Sequence, residues 1–249
     1  KEMLYDFQII VPSVHLPFYP SVPELLNQGI KWSVIADKKK QREIAIQGAA
    51  EGIAAAATLG AHSAVLHLGW QRDFWNDFSH GWAREAVQRL MSVAKKQNIK
   101  LLLENIISEG TRIDSLMNLL AEIDPEKTVG ICLDLGHANI EGEILEILKQ
   151  ASSRLDHIHV HDNNGKEDSH LCPGQGSIPW DKVLDILEDK EFNGIATLEL
   201  RDYSRGLDEA TETIEQHIKD CKPFYNSWKQ RFCKKIHGKK FYSNCKACD

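Results

Sequence analysis

The 249-residue sequence predicts an α/β protein of the closed (β/α)8 barrel class. Three observations carry that prediction. Short, nearly continuously apolar runs alternate with longer amphipathic segments, the pattern of parallel strands covered on both faces by helices. The alternation repeats along most of the chain, which implies βαβ units. Almost every apolar run also has a His, Asp or Glu at or just past its C-terminal end: His15, His67, Glu104, Asp134, His159 and Glu199. An open doubly wound sheet would carry such ends only beside its switch point, whereas every strand of a closed barrel points its C-terminal end at one site.

The elements follow in order. Strands are expected at residues 8–14 (QIIVPSV), 64–68 (AVLHL), 100–104 (KLLLE), 128–133 (TVGICL), 155–160 (LDHIHV) and 195–200 (IATLEL). Each is short and rich in branched apolar residues, as a strand in such a sheet is. Residues 37–59 read as an Ala- and Ile-rich helix closed by Gly60, a residue suited to the left-handed cap. Further helices are expected at 81–97, 113–123, 141–150, 180–188 and 207–221. A full barrel needs eight strands. The reading gives six, with the first strand and helix lacking before Lys1, because KEMLYDF reads as a helix cut in mid-course. Strand 8–14 would then stand at an open edge. It would be covered by the C-terminal tail, paired with a second copy in a homo-oligomer, or completed by a longer natural chain.

Composition limits the function classes. Hydrophobic residues are 42% and charged residues 27%, ordinary for a globular chain. No apolar run approaches the length of a spanning helix, so no membrane partner is expected. Residues 227–249 carry seven Lys/Arg and one acid, and residues 1–226 carry 23 basic and 35 acidic side chains, a net −12. That split predicts a barrel domain over 1–226 and a basic, Cys-containing tail over 227–249. A body at −12 repels a phosphate backbone, which argues against tight nucleic-acid binding. Six cysteines, widely spaced, do not make a disulfide scaffold, and a reducing, cytoplasmic setting is expected.

The strand ends make a ligand inventory. VHLPF supplies His15, LHLGW His67, LLLEN Glu104, CLDLGH Asp134 and His137, HIHVHDNNGKEDSH His159, Asp168 and His170, and LEL Glu199. Burying that many carboxylates and imidazoles together without a cation would carry a large desolvation cost. Mixed His and carboxylate ligands point to a divalent metal: Mn, Zn, Co or Mg. His161 alternates with His159 and so shares its face, and His161 and Asp162 are candidates for orienting the ligands. Trp70, Phe74, Trp75, Phe78 and Trp82 crowd the loop after 64–68; Trp70 and Trp75 are candidates for an apolar substrate wall. Gly174 and Gly176 suit a backbone approach to phosphate or a simple turn. In the tail, Cys233, His237, Cys245 and Cys248 have a spacing that is not that of a standard zinc finger, and a reduced, solvated tail is the plainer reading.

On these segments the chain resembles the xylose-isomerase-like TIM-barrel superfamily, which includes sugar-phosphate isomerases and epimerases and type IV apurinic endonucleases. The likeness runs from about Gln8 to Tyr203, and HIHVHDNNGKEDSHLCPGQG is its most specific piece. Gln175 departs from it, standing where the family often has Glu. The resemblance implies a core metal held by Glu104, Asp134, His159 and Glu199. In the endonuclease branch it implies a further ion on His15 and His67, sharing Glu104, and a third on His137, Asp168 and His170.

The expected function is divalent-metal-dependent isomerisation or epimerisation of a small sugar or sugar phosphate through a stabilised enediolate. Glu104 and Glu199, from strands on different sides of the barrel, would serve as base and acid on opposite faces of the substrate, with His137 and His170 orienting its oxygens or holding extra metal. One ion is expected, and three in the endonuclease alternative, which acts on abasic DNA. The remaining alternative is an inactive barrel kept as a scaffold.

Overall fold

A computed structural model of the chain describes residue 4 and residues 6–71, 73–202 and 207–232. Cys233, His237, Cys245, Cys248 and most of the expected tail therefore lie outside the described residues. The chain divides into two compact units. One comprises Lys1–Asp134 with Ser153–His157, the other Leu135–Ser152 with Ile158–Asp249.

The first unit is built on four parallel strands that pair in chain order: β1 (Ser13–His15), β2 (Ser63–Leu66), β3 (Lys100–Glu104) and β4 (Gly130–Asp134). Strand β3 has the expected bounds. Strand β1 is much shorter than expected. Gln8 has φ 54, Ile9 and Ile10 are exposed, and Pro12 has no N–H to give a ladder. Between the strands lie α1 (Val22–Gln28), α2 (Lys39–Leu59), α3 (Asp77–Gln97) and α4 (Ile113–Ile123). Helix α2 buries Ala45, Ala49, Ile53 and Ala56, one stripe of small and branched residues, and packs on β1 and β2. It ends at Gly60, whose φ of 80 is the left-handed cap the sequence predicted. Helix α3 starts four residues before its expected position because Asn76 and Ser79 form a reciprocal capping box. Phe78 and Trp82 thus belong to a helix, not to a loop, and the Arg42 guanidinium lies 3.9 Å over the Trp82 ring.

Register fixes what the sheet presents. His15 lies opposite Val65, and Val65 lies opposite Leu102. With side chains alternating along each strand, one face carries Val65, Leu102 and Cys132, which cluster in the core. The next residues on that face are His67, Glu104 and Asp134. The apolar row is a floor, and the polar strand ends stand on it.

The second unit holds α5 (Leu135–Glu141), α6 (Ile144–Ala151), the end of β5 (Leu155–Val160), α7 (Trp180–Asp189), β6 (Ile195–Leu198) and α8 (Leu207–Phe232). The helix expected at 141–150 is α6, which starts three residues later because Gly142 and Glu143 both take positive φ, and α5 before it was not expected. Helix α8 runs past its expected end at 221, and past Ser227, despite Pro223 within it. An interior proline costs about 3 kcal/mol. Aromatic packing offsets it: Phe224, Trp228 and Phe232 follow one another at helical spacing, with Phe224 against Trp180 and Trp228 against Phe192. No described helix is long and apolar enough to cross a membrane.

Candidate functional site

In the first unit, Glu104 is the meeting point. Its Oε2 lies 2.9 Å from His15 Nε2 and 2.9 Å from His67 Nε2, and the carboxylate is 2% exposed. Three strand ends supply the three residues, and their ligand atoms all fall within 4.8 Å of one another. The tautomer of His15 is constrained. Its Nδ1–H donates to the Leu16 carbonyl at 2.9 Å, since a carbonyl only accepts. In the neutral ring, Nε2 is then a lone pair facing a carboxylate oxygen. Two acceptors at that distance call for a cation, either a proton on the ring or a metal ion. Asp134 closes β4, and Asn105 grips its backbone from both sides, accepting from Asp134 N at 2.7 Å and donating to Asp134 O at 3.1 Å.

Aromatic rings wall this set. Phe18 stacks on His67 at 4.8 Å, meets His15 edge-on at 4.9 Å and touches Trp70 at 5.3 Å. Trp70 is fixed by its indole N–H on the Trp32 carbonyl and by Lys31 3.9 Å above its ring. Trp75 is placed elsewhere, with its ring against Gly110 and His80. Phe18 and Asn105 were not read from the sequence. Both had a local signal, Phe18 in VHLPF three residues after His15 and Asn105 in LLLEN beside Glu104.

In the second unit, three imidazoles converge on one carboxylate. Asp168 Oδ2 lies 3.1 Å from His170 Nε2 and 3.5 Å from His137 Nε2, and Asp168 Oδ1 lies 3.8 Å from His161 Nε2. Burial raises the Asp168 pKa, but hydrogen bonds and charge from His137 and His170 overcome this and hold the carboxyl far below its ordinary range. Burial lowers the pKa of His170, but the hydrogen bond and charge of Asp168 outweigh it and the net shift is upward. His170 Nδ1–H donates to the Glu199 carbonyl at 2.9 Å, which again leaves Nε2 of the neutral ring facing a carboxylate. His170 holds φ 49, an unusual conformation for a residue with a side chain. Glu199 Oε2 lies 3.0 Å from His159 Nδ1 and is itself buried, although the Glu199 side chain as a whole is 43% exposed.

The loop carrying Asp168 and His170 is pinned by Asp162. This buried carboxylate accepts from Asn163 N, Gly174 N, Ile178 N and Trp180 Nε1, and its backbone pairs with Leu171 in both directions. The Gly174–Gly176 segment is therefore a turn closed on Asp162. Gln175 reaches out to Asp220 at 3.1 Å.

The donor sets fit a divalent ion. Each mixes imidazole nitrogen with carboxylate oxygen, each has a ring nitrogen facing a carboxylate, and the buried Asp168 Oδ1 accepts no hydrogen bond.

Comparison with known proteins agrees with the fold. An uncharacterized protein, MJ1311, of Methanocaldococcus jannaschii is 27% identical over 230 residues, 86% of this chain and 71% of that one. A probable endonuclease 4 of Mycoplasma mycoides is 25% identical over 208 residues, covering 74% of this chain and 65% of that one. A D-psicose 3-epimerase of Enterocloster bolteae is 29% identical over 142 residues, covering 54% and 46%. Among solved structures, an L-ribulose 3-epimerase superposes with a TM-score of 0.73 at 13% identity, covering 96% of this chain and 81% of that one. Residues 1–221 match the family described as xylose isomerase-like TIM barrel. The α/β barrel class expected from the polar strand ends is that family's fold, and the chain belongs to it.

Proposed function

We propose that the chain is a divalent-metal-dependent epimerase or isomerase of a small sugar or sugar phosphate. The observation that carries this reading is the pairing of glutamates with imidazoles at strand ends: buried Glu104 between His15 and His67, and half-exposed Glu199 beside His159. The likeness to a D-psicose 3-epimerase supports the substrate class. A bound divalent ion would supply Lewis acidity to a carbonyl and its neighbouring hydroxyl.

The protein's own groups do the rest. Epimerisation removes the proton from the carbon beside the carbonyl and returns one to the opposite face. That needs a base and an acid from different strands, and Glu104 and Glu199 are the proposed pair. His137 and His170 orient substrate oxygens or hold a further ion. Phe18 and Trp70 give an apolar wall to one side of a small, polar ligand. Glu104, Asp134, His159 and Glu199 are the proposed ligands of the catalytic ion, on the strength of the resemblance, with Zn, Mn, Co or Mg as its identity. The cysteines at 132, 172 and 221 form no disulfide, which suits a reducing, cytoplasmic setting.

One observation favours a second reading. His15 and His67 add imidazoles to Glu104, and His137, Asp168 and His170 form a further set, as a multi-metal endonuclease on abasic DNA would require. The likeness to a probable endonuclease 4 supports it, and the −12 charge of residues 1–226 stands against it.

The test is one purified preparation, stripped with EDTA and reloaded with each metal in turn. Deuterium uptake from D2O into D-psicose, D-tagatose or L-ribulose, lost on chelation and restored by metal, supports the epimerase. Incision of an abasic duplex without such exchange replaces the first reading with the second. Neither activity under any metal would leave the inactive scaffold.

A further inference from the structure

We infer that His161 is itself a metal ligand, joining Asp168 and His170 in a nitrogen-rich site of the second unit that prefers zinc or cobalt to magnesium. This rests on the metal-dependent reading above and deepens it. Family resemblance assigns His137 to this place. The geometry instead draws His161 in: the ligand atoms of His161, Asp168 and His170 all lie within 4.8 Å of one another.

Four features of the structure support this. His161 is fully buried, so its ring has one fixed surrounding and not a choice of solvent positions. It stacks on His170 with centroids 4.0 Å apart and planes 11° apart, so the two rings lie side by side at Asp168, and one must tilt out of the stack for both Nε2 atoms to aim at one ion. Asp168 Oδ1, the oxygen 3.8 Å from His161 Nε2, is buried and accepts no hydrogen bond. That separation is too long for a hydrogen bond and short enough for both atoms to reach one ion at about 2.0–2.2 Å. Finally, the ring's place is made by Gly136. A Cβ there would lie 1.9 Å from His161 Cε1, so no other residue at 136 leaves the imidazole where it is. His137, 3.5 Å from the other Asp168 oxygen, completes the surround as a further ligand or an orienting group.

Two or three imidazoles with one carboxylate is a donor set for zinc or cobalt. Magnesium prefers oxygen and water around it.

The experiment is a zinc titration of the full chain, apo at the start, against a chromophoric chelator. Wild type, His161→Gln and Gly136→Ala are compared, with circular dichroism as the check on folding. In both variants one zinc equivalent should weaken by at least about tenfold, the lower limit seen when even a supporting partner of a ligand is removed. The other equivalents should be unchanged. A parallel titration of wild type, followed by the ring 15N resonances of its histidines, should shift His161 Nε2 with that same equivalent. This second readout decides the matter if His161→Gln does not fold. Unchanged zinc affinity in a folded His161→Gln, or an unshifted His161 ring at saturating zinc, overturns the inference and leaves the functional reading standing. Wild type that takes up no zinc, cobalt, manganese or magnesium overturns the functional reading as well.

Discussion

His15 faces Glu104 across 2.9 Å with its only proton, in the neutral ring, already given to the Leu16 carbonyl. This relationship gives the first prediction. A cation is needed between the two, and a metal that binds only the folded state stabilises it by mass action, about 2.7 kcal/mol at a hundredfold excess over Kd. For a chain of this size that raises the melting temperature by roughly 5–10 °C. Melting curves with zinc or manganese against EDTA should show it, and Glu104→Gln should remove most of it. The gain should also fall as the pH is lowered, because an imidazole must be neutral to ligate. An EDTA-insensitive melting point in the wild type would rule the site out.

Asp162 gives the second. It takes four donors from the loop that positions Asp168 and His170. Asp162→Asn keeps the shape and loses the charge-assisted bonds, and one amide N–H is turned toward a donor. The expected loss is about 1–3 kcal/mol of stability. Metal affinity at the Asp168–His170 set should fall about 10–100-fold. Urea melts and chelator competition read the two separately. Full metal affinity in a destabilised variant would make Asp162 a folding residue only.

How much of this was legible in the sequence follows from where the periodic signal is strong. Strands β3 and β5 were placed to the residue: β3 is a continuous apolar run closed by Glu104, and β5 is a short run that ends in the alternating His157-Ile158-His159-Val160. Helix α1 gave no signal, since it buries no residue and rests on the Ser21 cap. Helix α8 was expected to stop near Pro223, and only aromatic contacts made by the folded chain carry it on. At the site, residue type at strand ends marked His15, His67 and Glu104 as ligand candidates, the resemblance implied that they share an ion, and their ligand atoms lie within 4.8 Å of one another. His161 was visible only as a residue sharing a face with His159. Its relation to Asp168 depends on a loop folded back by Asp162 and on the absence of a side chain at Gly136.

The third prediction concerns stability against acid. Arg154 and Asp124 are both buried and bonded at 2.7 Å, and Arg154 also serves the carbonyls of Leu120, Asp124 and Val129. Burial raises the Asp124 pKa, but bonds from Val129, Thr128 and Arg154 overcome it and leave it lowered. A carboxyl with a depressed folded pKa stabilises the fold fully above its unfolded pKa, near 3.9. That contribution is lost as the pH falls through the folded value, so the acid limb of unfolding should start below about pH 4. Arg154→Met should cost about 3–5 kcal/mol by leaving Asp124 buried and unpaired. The double variant Arg154→Met, Asp124→Leu should recover part of that loss. Equal stability of wild type and Arg154→Met in urea at neutral pH would show that the pair holds nothing together.

The last prediction concerns proton transfer. Glu199 directly follows β6 and has three local ties: its N–H donates to the Val160 carbonyl, its carbonyl accepts from His170, and its Oε2 lies against His159. Unlike Glu104, its side chain is half open to solvent, although Oε2 itself is buried. Glu199→Gln preserves the size and the backbone bonds but offers an amide, which cannot take up a proton. Deuterium exchange into a ketose should drop by about 10²–10⁴-fold. As a proposed ligand, Glu199 also affects metal affinity, so the exchange is measured at saturating metal, with content checked by elemental analysis. Glu199→Asp is the control. It keeps an ionisable oxygen, withdraws it by one methylene, and should retain part of the activity. Near-full exchange by metal-loaded Glu199→Gln would remove Glu199 from the acid–base pair and leave it a ligand at most.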